Sequence, residues 1–132
     1  MKYEPKETDA WLIEEGRQDL RDRTKHFALR VIKLYSSLPK STLAQTLGKQ
    51  VLRSGTSVGA NYRETCRARS DAEFISKLGD CLKELDETTY WLELLIESGI
   101  TREKQLNSLV DEADQILAIF TTISKKVKSR KK

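Results

Sequence analysis

Asn61, Arg63, Glu64 and Arg67 fall within two turns of one another if the chain there is helical. Arg63 and Arg67 are four residues apart and Glu64 and Arg67 three, so they can share a face. A carboxylate beside an amide and two guanidinium groups can do general acid–base chemistry. The same residues also read as an ion-paired helix surface or a subunit contact, and that is the reading adopted here. Just upstream, "GTSVGANY" (Gly55–Tyr62) has the glycines and hydroxyls of a phosphate-binding loop. Such a loop needs a Lys-Ser/Thr pair after its second glycine and a strand before its first. Neither is present, so nucleotide chemistry of that kind is excluded.

The remaining reactive types are few. His26 is the single histidine, with Asp22 one turn before it. A di-metal bundle needs two Glu-x-x-His pairs and further carboxylates, which one histidine cannot supply. Cys66 and Cys81 form no Cys-x-x-Cys pair and are too few for a disulfide framework. They read as small core or boundary residues in a reducing cytoplasm. Trp91, beside Tyr90, could stack on a base. Its place next to Leu92 and Leu95 favours a helix–helix or subunit contact instead. No catalytic residue, metal ligand or cofactor is therefore assigned, and the chain is read as a non-enzyme.

Charge points elsewhere. The chain of 132 residues carries a net charge of +4. Six of its 24 basic residues, Lys125, Lys126, Lys128, Arg130, Lys131 and Lys132, crowd the last eight positions without an acid among them. The remainder is slightly acidic, with 18 basic against 20 acidic side chains. Such a terminus can contact nucleic acid phosphates. It can equally be a solvated end that complements the negative pole of the preceding helix. Lys49, Arg53, Arg63, Arg67 and Arg69 add a second basic stretch. Apolar runs long enough to span a bilayer are missing, and "MKYEPKETDA" has no apolar signal core. A cytoplasmic protein with no membrane partner is the expectation.

These residues need elements to hold them, and apolar spacing supplies four helices. Leu20, Thr24, Phe27, Val31, Leu34 and Leu38 alternate in steps of four and three, predicting a first helix over Asp19–Leu38 that Pro39 ends. Ser41 caps a second, with Leu43, Leu47, Val51, Ser54, Val58 and Tyr62 on one face and a break near Arg67. Its second stripe, Gly48, Leu52, Gly55 and Gly59, suits close approach of another helix. Each such glycine costs about 1 kcal/mol against alanine, so a packing reason is expected. Ser70, with Glu73 three residues on, forms a capping box for a third helix carrying Phe74, Leu78, Cys81, Leu85, Thr88, Leu92 and Leu95. Gly99 ends it. Thr101 caps a fourth, striped by Leu106, Val110, Ala113, Leu117, Phe120 and Val127, with Leu109, Ile116 and Ile123 beside.

Short connections make neighbours antiparallel, and the spacing favours crossings of about 20°. The prediction is all-α: an antiparallel up-down-up-down four-helix bundle over 17–124, a weakly ordered segment over 1–16 and a basic tail over 125–132. Trp11, Leu12 and Ile13 could still dock on the bundle.

The helix order resembles the four-helix-bundle family of proteins encoded in 23S ribosomal RNA intervening sequences. The stretches that carry the resemblance are "FALRVIKLYSSLP", "LGKQVLRSGTSVGANYRE" and "SDAEFISKLGDCLKELDETTYWLELLIESG". In many members the second helix reads Arg-x-x-x-Ser-Ile-Pro-x-Asn-x-x-Glu-Gly. Arg53, Ser57, Val58, Asn61 and Glu64 match it, whereas Gly59 stands for the proline and Thr65 for the glycine. A local bend at Gly59 is expected to survive that change. The accessory variability protein of diversity-generating retroelements is similar to this family. The resemblance implies a ring-like homo-oligomer, a pentamer, with no known enzymatic activity. It also implies nucleic acid (RNA or DNA) and a reverse transcriptase as partners. Arg53, Arg63, Arg67, Arg69 and the basic terminus would then contact phosphates. The alternative is an adaptor whose helix-two arginines pair with Asp80, Glu84 and Glu87.

Overall fold

The computed structural model describes residues 11–130, and among these every regular element is a helix. They are α1 (Glu14–Ser37), α2 (Thr42–Cys66), α3 (Asp71–Glu97) and α4 (Glu103–Ser129). The order around the bundle follows the chain: α2 packs on α1 and α3, α3 on α4, and the α1–α4 side is the lightest contact. Short turns make each neighbour antiparallel. The chain thus forms the up-down-up-down four-helix bundle that the spacing predicts.

Two of the expected caps form. The Ser41 hydroxyl accepts from the Ala44 N–H at 3.2 Å and the Ser70 hydroxyl from the Glu73 N–H at 3.1 Å. Each hydroxyl oxygen thereby satisfies one of the four N–H groups that a helix start leaves without a partner. Gly99, at φ 81°, is the residue that turns the chain out of α3. Thr101 does not cap α4. That role falls to Arg102, whose N–H is met at 3.2 Å by the Gln105 side-chain oxygen, while the Thr101 hydroxyl oxygen is buried without a partner.

The ends of the bundle also differ from expectation. α1 begins at Glu14, and Gly16 lies buried inside its first turn rather than before it. Glu14 and Glu15 favour that start by facing the positive pole of the helix. Of the segment read as weakly ordered, residues 1–10 lie outside the described residues, and Leu12 is in the core at 7% exposure. At the other end, Lys125, Lys126 and Lys128 are not a tail but the last turns of α4. Val127, at 2% exposure, anchors those turns in the core.

The core stripes of α1, α2 and α3 are largely those the spacing predicts, with Phe27, Val31, Val51, Val58, Tyr62, Leu78, Leu85, Leu92 and Leu95 all at 1% exposure or less. Leu43 is the exception in α2: it faces solvent at 55%, and Ala44 is buried in its place. On α4 the buried line is Leu106, Leu109, Ala113, Ile116, Phe120, Ile123 and Val127, an unbroken alternation of three and four. Val110 and Leu117 sit at its edge. Tyr62 of α2 and Phe120 of α4 stack across the centre, with ring centroids 5.2 Å apart.

The glycine stripe faces α1. A methyl group on Gly55 would come within 2.8 Å of Val31, and one on Gly59 within 3.2 Å of the Thr24 hydroxyl. α2 runs unbroken through Gly59, so the glycine serves close approach there. Val31 is β-branched and cannot swing aside. Gly55→Ala is therefore expected to lose a net 1–2 kcal/mol or so, overpacking outweighing the gain in helix propensity. Gly79→Ala, which meets nothing within 4 Å, should gain roughly 0.5–1 kcal/mol. Urea denaturation of the two variants checks both signs.

Burial also fixes how the fold answers to alkali. The Cys81 thiol is pushed up to about 12, first by burial, and burial raises the Tyr62 phenol well above its usual range. Both stay protonated in the folded chain while the unfolded chain releases its protons at about 8.5 and 10. The folded state then holds more protons, so stability falls as pH rises past those values, by roughly 1.4 kcal/mol per pH unit per group. Thermal melts between neutral pH and pH 11 should show this decline. Tyr62→Phe should flatten its upper part.

Candidate nucleic-acid interface

α2 carries the predicted site residues, and its neighbours divide them into two sets. The first set faces α3. The Arg53 guanidinium meets Glu87 in a short ion pair and Glu84 at 3.4 Å, and Glu87 also accepts from the Trp91 indole N–H at 3.2 Å. Lys77 of α3 reaches Glu64 at 3.2 Å. Beneath this polar seam the buried Thr88 hydroxyl donates to Ser54 at 2.8 Å. Ser57 turns its hydroxyl back to the Arg53 carbonyl at 2.7 Å.

Arg53 and Glu64 thus tie α2 to α3, and Ser57 and Asn61 fall between them on the same run of turns. Gly59 lies on the opposite side, against α1. The pairing of Arg53 with Glu84 and Glu87 is the arrangement expected of an adaptor's helix-two arginines, here within one chain. A phosphate at Arg53 would have to displace two carboxylates. Individually such half-exposed pairs contribute about 0–1 kcal/mol.

The second set faces outward over α1. Arg63 and Arg67 line a groove with Arg21, Gln18 and the half-buried Cys66, enclosing about 380 Å³. The groove continues along Arg21 and Arg63 into a second recess of about 270 Å³. Small residues there, Ala28, Thr56, Gly59 and Ala60, let a ligand come close, and Lys25 stands at its rim. Arg21 is held in place by Glu14 and by the Gln18 side-chain oxygen at 2.8 Å. Lys25, Arg63 and Arg67 are exposed. Four cations in two i, i+4 pairs, on adjacent antiparallel helices, make a basic strip above a shallow floor. The geometry suits a run of phosphates followed along a groove.

Arg21, Lys25 and Gln18 were not among the residues singled out from the sequence. The signal was present: Arg21 and Lys25 are spaced like Arg63 and Arg67, and Thr24 between them meets Gly59. Lys49 is exposed on α2 away from this groove. Arg69 lies in the α2–α3 turn. Arg130 donates to Asp71 at 2.8 Å, and Lys125 and Lys128 are exposed on α4. Lys131 and Lys132 lie outside the described residues.

The Glu64 carboxylate is ion-paired with Lys77. Among the described residues, no three His, Cys, Asp or Glu side chains converge in a way that could hold a metal ion. Nor is any of their helices long and apolar enough to cross a membrane.

Fold and site together define a class: a small antiparallel four-helix bundle whose second helix turns glycines to the first and a charged seam to the third. The sequence profile of the 23S rRNA-intervening sequence protein family matches residues 17–122, and the chain belongs to that family. A solved protein of unknown function from the S23 ribosomal protein family of Bacteroides thetaiotaomicron is similar at 40% identity. It aligns over 83% of this chain and 97% of its own, with a TM-score of 0.77. No curated protein matches the chain.

Proposed function

We propose that this protein is a non-enzymatic, homo-oligomeric bundle that binds structured RNA along the α1/α2 groove. The observation that carries the reading is the strip of Arg21, Lys25, Arg63 and Arg67 over a floor of small residues. Its chemistry suits phosphate, and three of its four cations are exposed. The family description, which names sequences that intervene in 23S rRNA, favours RNA as the polyanion. Leu29 and Ile32, exposed at 54% and 44% on α1, favour self-association, and a pentameric ring is the assembly proposed.

Gel shifts with structured RNA test the proposal against a protein-only adaptor, such as one acting on a reverse transcriptase. Removing Lys125–Lys132 would also remove Val127 from the core, so substitution replaces truncation. Charge reversal at Arg63 and Arg67 is expected to abolish the shift, whereas Lys125→Gln with Lys128→Gln weakens it several-fold at most. A wild-type protein that shifts no RNA contradicts the proposal and leaves the adaptor.

A further inference from the structure

The end of the bundle where α3 starts and α4 finishes holds a separate recess of about 170 Å³. Three guanidinium residues line it, each from a different part of the chain: Arg17 of α1, Arg69 of the α2–α3 turn and Arg130, which caps the C-terminal end of α4. Among the described residues Asp71 is the one acid lining it, and Arg130 engages it at 2.8 Å. The floor is apolar, made by Leu12, Phe74 and Val127 at 7%, 8% and 2% exposure. Arg17 lies over the Phe74 ring, 5.6 Å from its centroid, and its Nε is shut off from solvent with no hydrogen-bond acceptor. A buried donor without an acceptor is costly and calls for one. Asp71, which also lines the recess, opens α3, and its N–H has no helical carbonyl to bond.

We infer that this recess is a binding site for one phosphate group, distinct from the groove and independent of the function proposed for it. Excess positive charge, a buried guanidinium N–H without an acceptor and a helix start together select a compact polyvalent oxyanion. A water occupies roughly 30 Å³ of liquid, so the recess accommodates a group of about five heavy atoms. The recess is open to solvent on one side and has room for a phosphate group. The group is free orthophosphate or the terminal phosphate of a nucleic acid strand.

Calorimetric titration of the full chain with inorganic phosphate, in a phosphate-free buffer, tests the site. Saturable 1:1 binding is expected. Arg69→Ala, at an exposed position, and Arg17→Lys, which keeps the charge but lacks the Nε–H, should each weaken it about tenfold, the worth of a charge-assisted hydrogen bond. The Arg63→Glu, Arg67→Glu variant should bind phosphate like the wild type, so failure of the groove reading leaves this result unaffected. Circular dichroism confirms that each variant folds. No saturable binding, or equal affinity in the wild type, Arg69→Ala and Arg17→Lys, overturns the proposal. Titration of 5′-phosphorylated against 5′-hydroxyl oligonucleotides separates the sources. A preference for the phosphorylated strand that Arg69→Ala removes assigns the site to strand ends; orthophosphate binding without that preference assigns it to the free ion.

Discussion

Arg63→Glu combined with Arg67→Glu lowers affinity for structured RNA by about a hundredfold or more at physiological salt, with the helical fold unchanged. The two side chains are exposed and one turn apart at the mouth of the α1/α2 groove. Each reversal removes a phosphate contact and adds a repulsive charge beside the remaining cations, Arg21 and Lys25. A lost charge-assisted contact is worth about 1.5 kcal/mol or more, so two of them reach a hundredfold before repulsion is counted. Arg53→Ala is the informative comparison. Its guanidinium is engaged by Glu84 and Glu87, so its loss should change RNA affinity by less than about threefold and stability by about 0–1 kcal/mol. Titrations of one fluorescently labelled RNA against the three proteins measure both effects.

Phe120→Ala removes about 3–5 kcal/mol of stability, the largest loss expected from a single core position. The ring is fully buried on α4 and stacks on Tyr62 of α2, joining two helices that otherwise face each other diagonally. Truncation leaves a cavity bounded by elements that cannot close on it, because the glycine face of α2 is already in contact with α1. In a domain of this size the melting temperature should fall by roughly 10–20 °C at fixed protein concentration. Tyr62→Phe keeps the stack and should lose less than about 1.5 kcal/mol. A Phe120→Ala protein that melts within a few degrees of the wild type would show that the stack is not the centre of the core.

How much of this was legible before the structure depends on which physical rule decides each feature. Stripes in steps of three and four, the caps Ser41 and Ser70, and the turn glycine Gly99 are local, and local spacing suffices to find them. The phase of the α4 stripe was not local. Leu106, Ala113 and Phe120 belong to two plausible alternations, and only packing against α3 selects the one through Leu109, Ile116 and Ile123. Val127 stands on the stripe predicted for the fourth helix, but six cations in the last eight residues set the predicted boundary before it, and its burial carries the helix on. The glycine stripe announced a close helix neighbour without naming it, and α1 proved to be that neighbour. The candidate site was half visible. Arg63 and Arg67 stood out by their spacing, but the register that sets Arg21 and Lys25 beside them belongs to the α1–α2 crossing and cannot be read along either helix alone. For the same reason Arg53 looked equivalent to Arg63 in sequence, until α3 brought two carboxylates to it.

The salt dependence of RNA affinity tests the central claim most directly. If the groove follows a run of phosphates, log K falls linearly with log salt concentration, with a slope of about −2 to −4 for the three or four contacts it can make. The slope flattens by about two in the Arg63→Glu, Arg67→Glu protein. An affinity that barely changes between low and physiological salt, or a slope that is the same in both proteins, would contradict the assignment of the α1/α2 groove as the RNA-binding surface.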